Sequence, residues 1–213
     1  MPQSTALPGA ASPLVAALER AWAAIRDQHP DVPDAVVVVA SGGDAKRLAL
    51  GHFAPGRWQV NGTGHHEVLV GAEGLARGAE DVLATLLHEA AHGLACARSI
   101  QDTSRQGRYH NNRYAALAAE LGLDVARDPR IGWSLTTLPD STAQRYAPVL
   151  DELRTALVLW RYLDTLASRT TTSRNLLACT CPCQRRIRVA RATLAEAPIT
   201  CGACQGEFEP VDA

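Results

Sequence analysis

Between residues 13 and 28, Leu14, Leu18, Trp22 and Ile25 recur at spacings of three and four, the period of a helix with one apolar face. Ser12 followed by Pro13 reads as a cap and a first-turn proline, which sets the expected start of that helix. The Val-rich run Asp34 to Ala40 lacks this period and is too short for a helix, so it is expected as a buried strand. Two weaker strands are expected at Leu48 to Phe53 and Trp58 to Val60, separated by Pro55 and Gly56, and a fourth at His66 to Val70. From Glu80 to about Ala97 the period is helical again, with Val82, Leu83, Leu86, Leu87, Ala90 and Leu94 on one broad face.

The polar stretch Ser99 to Arg108 then reads as a loop. A further helix is expected from Asn111 to Leu121, with Tyr114, Leu117, Ala118 and Leu121 as its stripe and Gly122 as a left-handed stop. Residues 123 to 139 look irregular, broken by Pro129, Gly132 and Pro139, and a long helix is expected from Asp140 to about Leu166. Residues 167–175 are small, polar and basic, as in an exposed linker. The pattern therefore predicts an α+β domain over 1–166, with a small antiparallel or mixed sheet packed on helices, then a linker, then a small cysteine-bearing module over 176–213.

Composition narrows the class. The chain has 213 residues, 46% hydrophobic and 20% charged, with a formal net charge of -1, which fits a folded protein and disfavours a general polyanion binder. No apolar run approaches the roughly 20 residues needed to cross a bilayer, and the N-terminus has no basic segment of the signal-peptide kind. A cytoplasmic protein without membrane association is expected. In a reducing compartment the six cysteines are read as thiols or metal ligands rather than disulfides.

Chemistry concentrates in two places. His88, Glu89 and His92 form an HExxH motif within the second expected helix. Four residues is a little over one turn, so both imidazoles project from one face and can share a zinc ion, while Glu89 stands about 100° around the axis, beside the metal. The neighbouring Leu86 and Leu87 imply partial burial, and burying two imidazoles and a carboxylate without partners costs several kcal/mol. A catalytic zinc has three protein ligands and an open position. Cys96 lies about 12 Å along the axis from His88, too far for a short thiol, and reads as a small core residue. His29, His52, His65 and His66 read as surface or strand-end residues. His110, four residues before Tyr114 and seven before Leu117, extends the stripe of the next helix and is the favoured third ligand, with Asp124 or Glu120, the latter expected on the solvated side, as competitors. Such a site would hydrolyse an amide, with Glu89 as the general base toward the attacking water; closed by a fourth protein ligand, it would instead be the structural zinc of a non-catalytic nucleic-acid- or protein-binding module. Arg108 and Tyr109 are candidate oxyanion donors, and so is Tyr114, although it reads more as a core residue.

The run HEAAHGLACARSIQDTSRQGRYHNNRYAALAAELGL resembles the SprT-like, Spartan-type zinc metalloproteases, in which HExxH is followed by a distal histidine opening a helix and an aromatic residue four positions later. Here these are His88, Glu89, His92, His110 and Tyr114, with Asn111 where the family pattern has glycine and Tyr114 where it has phenylalanine. The resemblance covers roughly residues 60–125. It implies a peptidase acting on a protein substrate and, by likeness to Spartan, association with DNA. The longer metzincin signature is absent, since position 95 is alanine and position 98 arginine.

The C-terminal cysteines suggest a second, structural zinc. Cys201 and Cys204 form a CxxC pair, whereas Cys179, Cys181 and Cys183 offer CxC or CxxxC. Cys181 and Cys183 are favoured because Pro182 stiffens their turn, with Cys179 as the alternate, giving a zinc ribbon. Between the pairs, Ile187 and Val189 fall on one strand face and Arg186 and Arg188 on the other, a solvated face or an edge for contacting phosphates.

Overall fold

The computed structural model describes residues 9, 11–44, 47–163 and 176–211, which form an α+β protein. The chain divides into two compact units, Met1–Asp164 and Thr165–Ala213. The expected linker at 167–175 lies outside the described residues.

In the first unit, α1 (Ala11–Gln28) buries Leu14, Leu18, Trp22 and Ile25 as its period requires, together with Ala17 and Ala21. It starts before the expected cap, because the Ser12 N–H already donates to the Gly9 carbonyl at 3.1 Å. Strand β1 (Ala35–Ala40) is followed by the short pair β2 (Gly43–Asp44) and β3 (Arg47–Leu48), then by β4 (Gly51–Val60) and β5 (Thr63–Gly71). The sheet order is β1-β5-β4, with β5 parallel to β1 and antiparallel to β4. The strand expected at 58–60 and the second half of that expected at 48–53 are thus one strand. Pro55 has no N–H to give the ladder, so the register shifts between Ala54 and Trp58 and the strand bulges instead of ending.

Helix α2 (Ala79–Ala97) packs against α1 and against both β4 and β5. Its buried residues, among them Val82, Leu83, Leu86, Leu87, Ala90, Ala91 and Leu94, surround most of the axis, as expected of a central helix. The chain then forms β6 (Thr103–Ser104), β7 (Tyr109–His110), α3 (Asn112–Glu120), β8 (Asp124–Asp128) and β9 (Gly132–Thr137). The four strands pair in the order β6-β7-β9-β8.

The segment read as irregular is therefore largely a hairpin. Its breakers sit in the turn, where Asp128 Oδ1 accepts the N–H groups of Arg130 and Ile131 at 2.7 and 3.1 Å. Gly122, at φ 89°, stops α3 as expected. Its N–H donates to the Ala119 carbonyl and that of Leu123 to the Ala118 carbonyl, the paired closure of a Schellman motif.

The long helix expected from Asp140 is instead α4 (Asp140–Arg145) and α5 (Ala147–Ala156). Pro148, in the first turn of α5, has no N–H with which to continue the helix backward. Beyond Ala156 the chain is not helical as far as Leu163, and residues 164–166 lie outside the described residues. The core of this unit is apolar and continuous, with Trp22, Tyr114 and Tyr146 its largest fully buried side chains.

The second unit holds β10 (Leu177–Thr180), β11 (Arg186–Val189), α6 (Arg191–Glu196) and β12 (Glu209–Pro210), with strand order β11-β10-β12, all antiparallel. Only Cys179, Cys181, Cys201 and Phe208 are buried in its core, among the described residues. Ile187 and Val189 pack against that core, while Arg186 and Arg188 are exposed. Among the described residues, no helix is long and apolar enough to cross a membrane.

Candidate metal centres

His88 and His92 lie one turn apart on α2, and β7 delivers His110 from the opposite side. One imidazole nitrogen of each falls within 4.8 Å of the others. The Nε2 atoms of His92 and His110 are 3.1 Å apart. A tetrahedral zinc with Zn–N distances of about 2.0–2.1 Å needs an edge of about 3.3 Å, so the spacing fits a shared cation. Tyr114 forms the floor, its ring centroid 4.9, 4.8 and 4.5 Å from those of His88, His92 and His110.

The far nitrogens decide which way the rings face. His88 Nδ1 is 3.1 Å from Thr136 Oγ1 on β9, and His92 Nδ1 is 2.6 Å from Asp102 Oδ2. These partners leave the Nε2 atoms of both rings directed toward the common point. His110 is held through its backbone, with its N–H donating to the Ile131 carbonyl at 2.9 Å, and its buried Nδ1 has no hydrogen-bond partner among the described residues. Gly132 permits this. At φ 76°, any Cβ there would stand 2.0 Å from the His110 carbonyl oxygen.

Burial and the neighbouring imidazoles hold His88 well below the usual histidine range and push His110 down to about 4. Burial acts the same way on His92, but the hydrogen bond to Asp102 and the charges of Glu89 and Asp102 together outweigh it and raise the value. His88 and His110 are thus held neutral, as metal ligands must be, and a divalent cation would displace the proton that Asp102 favours on His92.

Glu89 is 4% exposed, and burial lifts its carboxyl to about 7 against the opposing effects of His92 and the Phe53 backbone. Gly51 on β4 lies against it: a Cβ there would come within 2.9 Å of Glu89 Oε1. The imidazoles and Glu89 share the wall of a cleft of about 910 Å³ with the apolar side chains of Leu48, Phe53, Ile100, Ile131 and Leu135.

Some expectations change here and others hold. Cys96 is not a core residue; it is exposed and lines the cleft, although its neighbours Leu94 and Ala95 in the last turn of α2 stay in the core. His110 does not extend the α3 stripe but precedes the cap residue Asn111. Of the candidate oxyanion donors, Tyr114 is fully buried with its hydroxyl 3.4 Å from the His88 carbonyl, and neither Arg108 nor Tyr109 lines the cleft. Glu120 is exposed and pairs with Arg98 at 2.7 Å, and Asp124 is exposed on β8; neither joins the imidazoles. His29, His52, His65 and His66 also lie outside the cluster. Asp102, Thr136 and Gly51 were not foreseen. Only Asp102, a carboxylate in the loop between the ligand-bearing segments, left any trace in the sequence.

In the second unit, one sulfur from each of Cys181, Cys183, Cys201 and Cys204 falls within the same 4.8 Å limit. The Cys181–Cys183 and Cys183–Cys201 sulfurs are 3.3 and 3.8 Å apart, near the roughly 3.8 Å edge of a tetrahedron with Zn–S of about 2.3 Å. Each pair sits on a tight turn: Cys181 N–H donates to the Arg185 carbonyl and Cys201 N–H to the Gly206 carbonyl, and both turns pass through a left-handed glutamine, Gln184 or Gln205. Backbone N–H groups of Ala203 and Cys204 aimed at Cys201 bring its thiol down to about 6, whereas the neighbouring sulfurs of Cys181 and Cys204 push Cys183 up to about 12. A cation would let all four carry thiolate charge. Cys179 lies outside the cluster, packed in the strand core. No protein-family model matches this sequence, and no curated protein or solved structure is significantly similar to it.

Proposed function

We propose that the protein is a zinc-dependent peptidase of the SprT-like type, with a cysteine-held structural zinc in its second unit. The observation that carries the reading is the convergence of three imidazoles beside a buried carboxylate, on a wide cleft, with no fourth protein ligand among the described residues. A structural site would be closed by a fourth ligand. A zinc ion held by His88, His92 and His110 would supply Lewis acidity and lower the pKa of a water toward about 7.

The remaining steps belong to the chain. Asp102 and Thr136 fix the tautomers and directions of His92 and His88. Glu89 accepts the proton of the attacking water at a carboxylate oxygen and returns it to the leaving amine. Leu48, Phe53, Ile131 and Leu135 offer apolar walls to the side chains of a polypeptide and exclude water around the scissile bond. The exposed Arg186 and Arg188 on β11 are where DNA would contact the second unit, opposed by Glu207 and Glu209 in that unit.

The test is cleavage of a DNA-binding protein by the purified chain, with and without single-stranded DNA, alongside metal analysis. Glu89→Gln should retain its metal and lose about 10²–10⁴-fold in rate. Undiminished cleavage would overturn the general-base role. A wild type that cleaves nothing while binding metal at the imidazoles would favour a zinc-stabilised binding module.

A further inference from the structure

Asn111 follows His110 directly and makes hydrogen bonds in two directions. Toward α3, its Oδ1 accepts the N–H groups of Arg113 at 2.8 Å and Tyr114 at 3.2 Å. Toward the loop before β6, its backbone N–H donates to the Asp102 carbonyl at 2.9 Å and its Nδ2–H to the Gln101 carbonyl at 2.8 Å. Asp102 in turn holds the His92 ring at 2.6 Å, with both side chains largely buried. The β6–β7 pairing sets Thr103 opposite His110, so the loop that carries Asp102 and the strand that carries His110 run side by side through Asn111.

Serine, threonine and aspartate cap helices about as well as asparagine. Asparagine alone among them presents an acceptor and, on a separate atom, N–H donors. At this position both are in use. We propose that Asn111 is a positioning residue for the imidazole site, fixing the Asp102 backbone, and through it the His92 ring, relative to His110. The inference rests on the reading that the three imidazoles hold a metal.

Cobalt(II) titration of the full chain, followed by zinc displacement, tests it. Thiolate-to-metal bands report the cysteine site, and weaker ligand-field bands report the imidazole site. Asn111→Ser keeps a capping oxygen and the backbone N–H but removes the donor to Gln101. Asp102→Asn removes the carboxylate. Asp102→Asn should weaken zinc at the imidazole site by about 10–100-fold. Asn111→Ser should weaken it at least about threefold, and the double variant should lose at least about twofold less than the product of the single losses. The cysteine-site bands and the metal-free unfolding midpoint should not move.

Wild-type affinity in Asn111→Ser, losses that simply multiply, or a midpoint that falls in step with affinity would each overturn the positioning role. A wild type with no ligand-field signal at the imidazoles would instead sink the metal-site reading, and this inference with it.

Discussion

The Glu89 carboxylate has little room. A Cβ on Gly51 would approach its Oε1 and the Thr85 Cγ2 to 2.9 Å each, and Glu89 Cγ to 3.0 Å. The carboxylate end is the part best able to yield, so Gly51→Ala should relieve its strain by displacing Glu89. Stability should fall by the lower end of about 1–3 kcal/mol, while kcat/KM falls about 10²-fold. Paired denaturation and kinetic measurements check this, with zinc content expected to stay unchanged. At this scale, what could be read in advance is what one helix fixes. The four-residue spacing sets His88 and His92 on one face, and His110 could be placed because Tyr114 marks the segment that returns to them. Gly51 and Thr136 come from strands whose approach to α2 depends on sheet register, which no local pattern encodes.

Between elements, Glu73 joins three segments. Its carboxylate accepts from Ser41 Oγ at 3.0 Å, from the Gly42 N–H at 2.8 Å and from Arg161 at 2.7 Å, tying the end of β1 to the stretch beyond α5. Burial alone would raise its pKa, but these hydrogen bonds outweigh burial and leave it lowered. A folded value below the unfolded one means stabilisation that is complete above the unfolded value and lost as pH falls through the folded one. Glu73→Gln should therefore cost about 1.5–3 kcal/mol at pH 7. The difference from wild type should shrink on acidification below about pH 4.5, as read by urea unfolding across a pH series. Helices were the elements most legible in the sequence: α1, α2 and α3 lie within a residue or two of their periodic stretches. The β8–β9 hairpin was hidden because β8 is mostly exposed and shows no clean alternation. In the sequence Pro55 reads as a break, since proline normally ends a ladder, whereas in the fold it only bulges β4.

Across the molecule, the two units owe their stability to different sources. The first buries a continuous apolar core. The second buries only three cysteines and Phe208 among its described residues, too little to hold a small domain without a staple. Strong chelation should therefore abolish the folded signal of the second unit and leave the first largely intact. Amide-resolved NMR before and after metal removal reads both, and concerted loss of the two units would contradict it. The α+β class could be read from the alternation of periods, and the four-cysteine cluster from its close pairs.

On one flank Gly132 lets β9 press against the His110 carbonyl and the His110 N–H is bonded to Ile131, and on the other β6 pairs Thr103 with it, so the third imidazole rides a strand gripped on both flanks rather than a helix. A captured ion could then escape only when that grip slackens, and its residence time would be governed by breathing of the strand rather than by bond strength alone. Hydrogen exchange at the His110 amide counts those openings, and the ion should dissociate no faster than they occur.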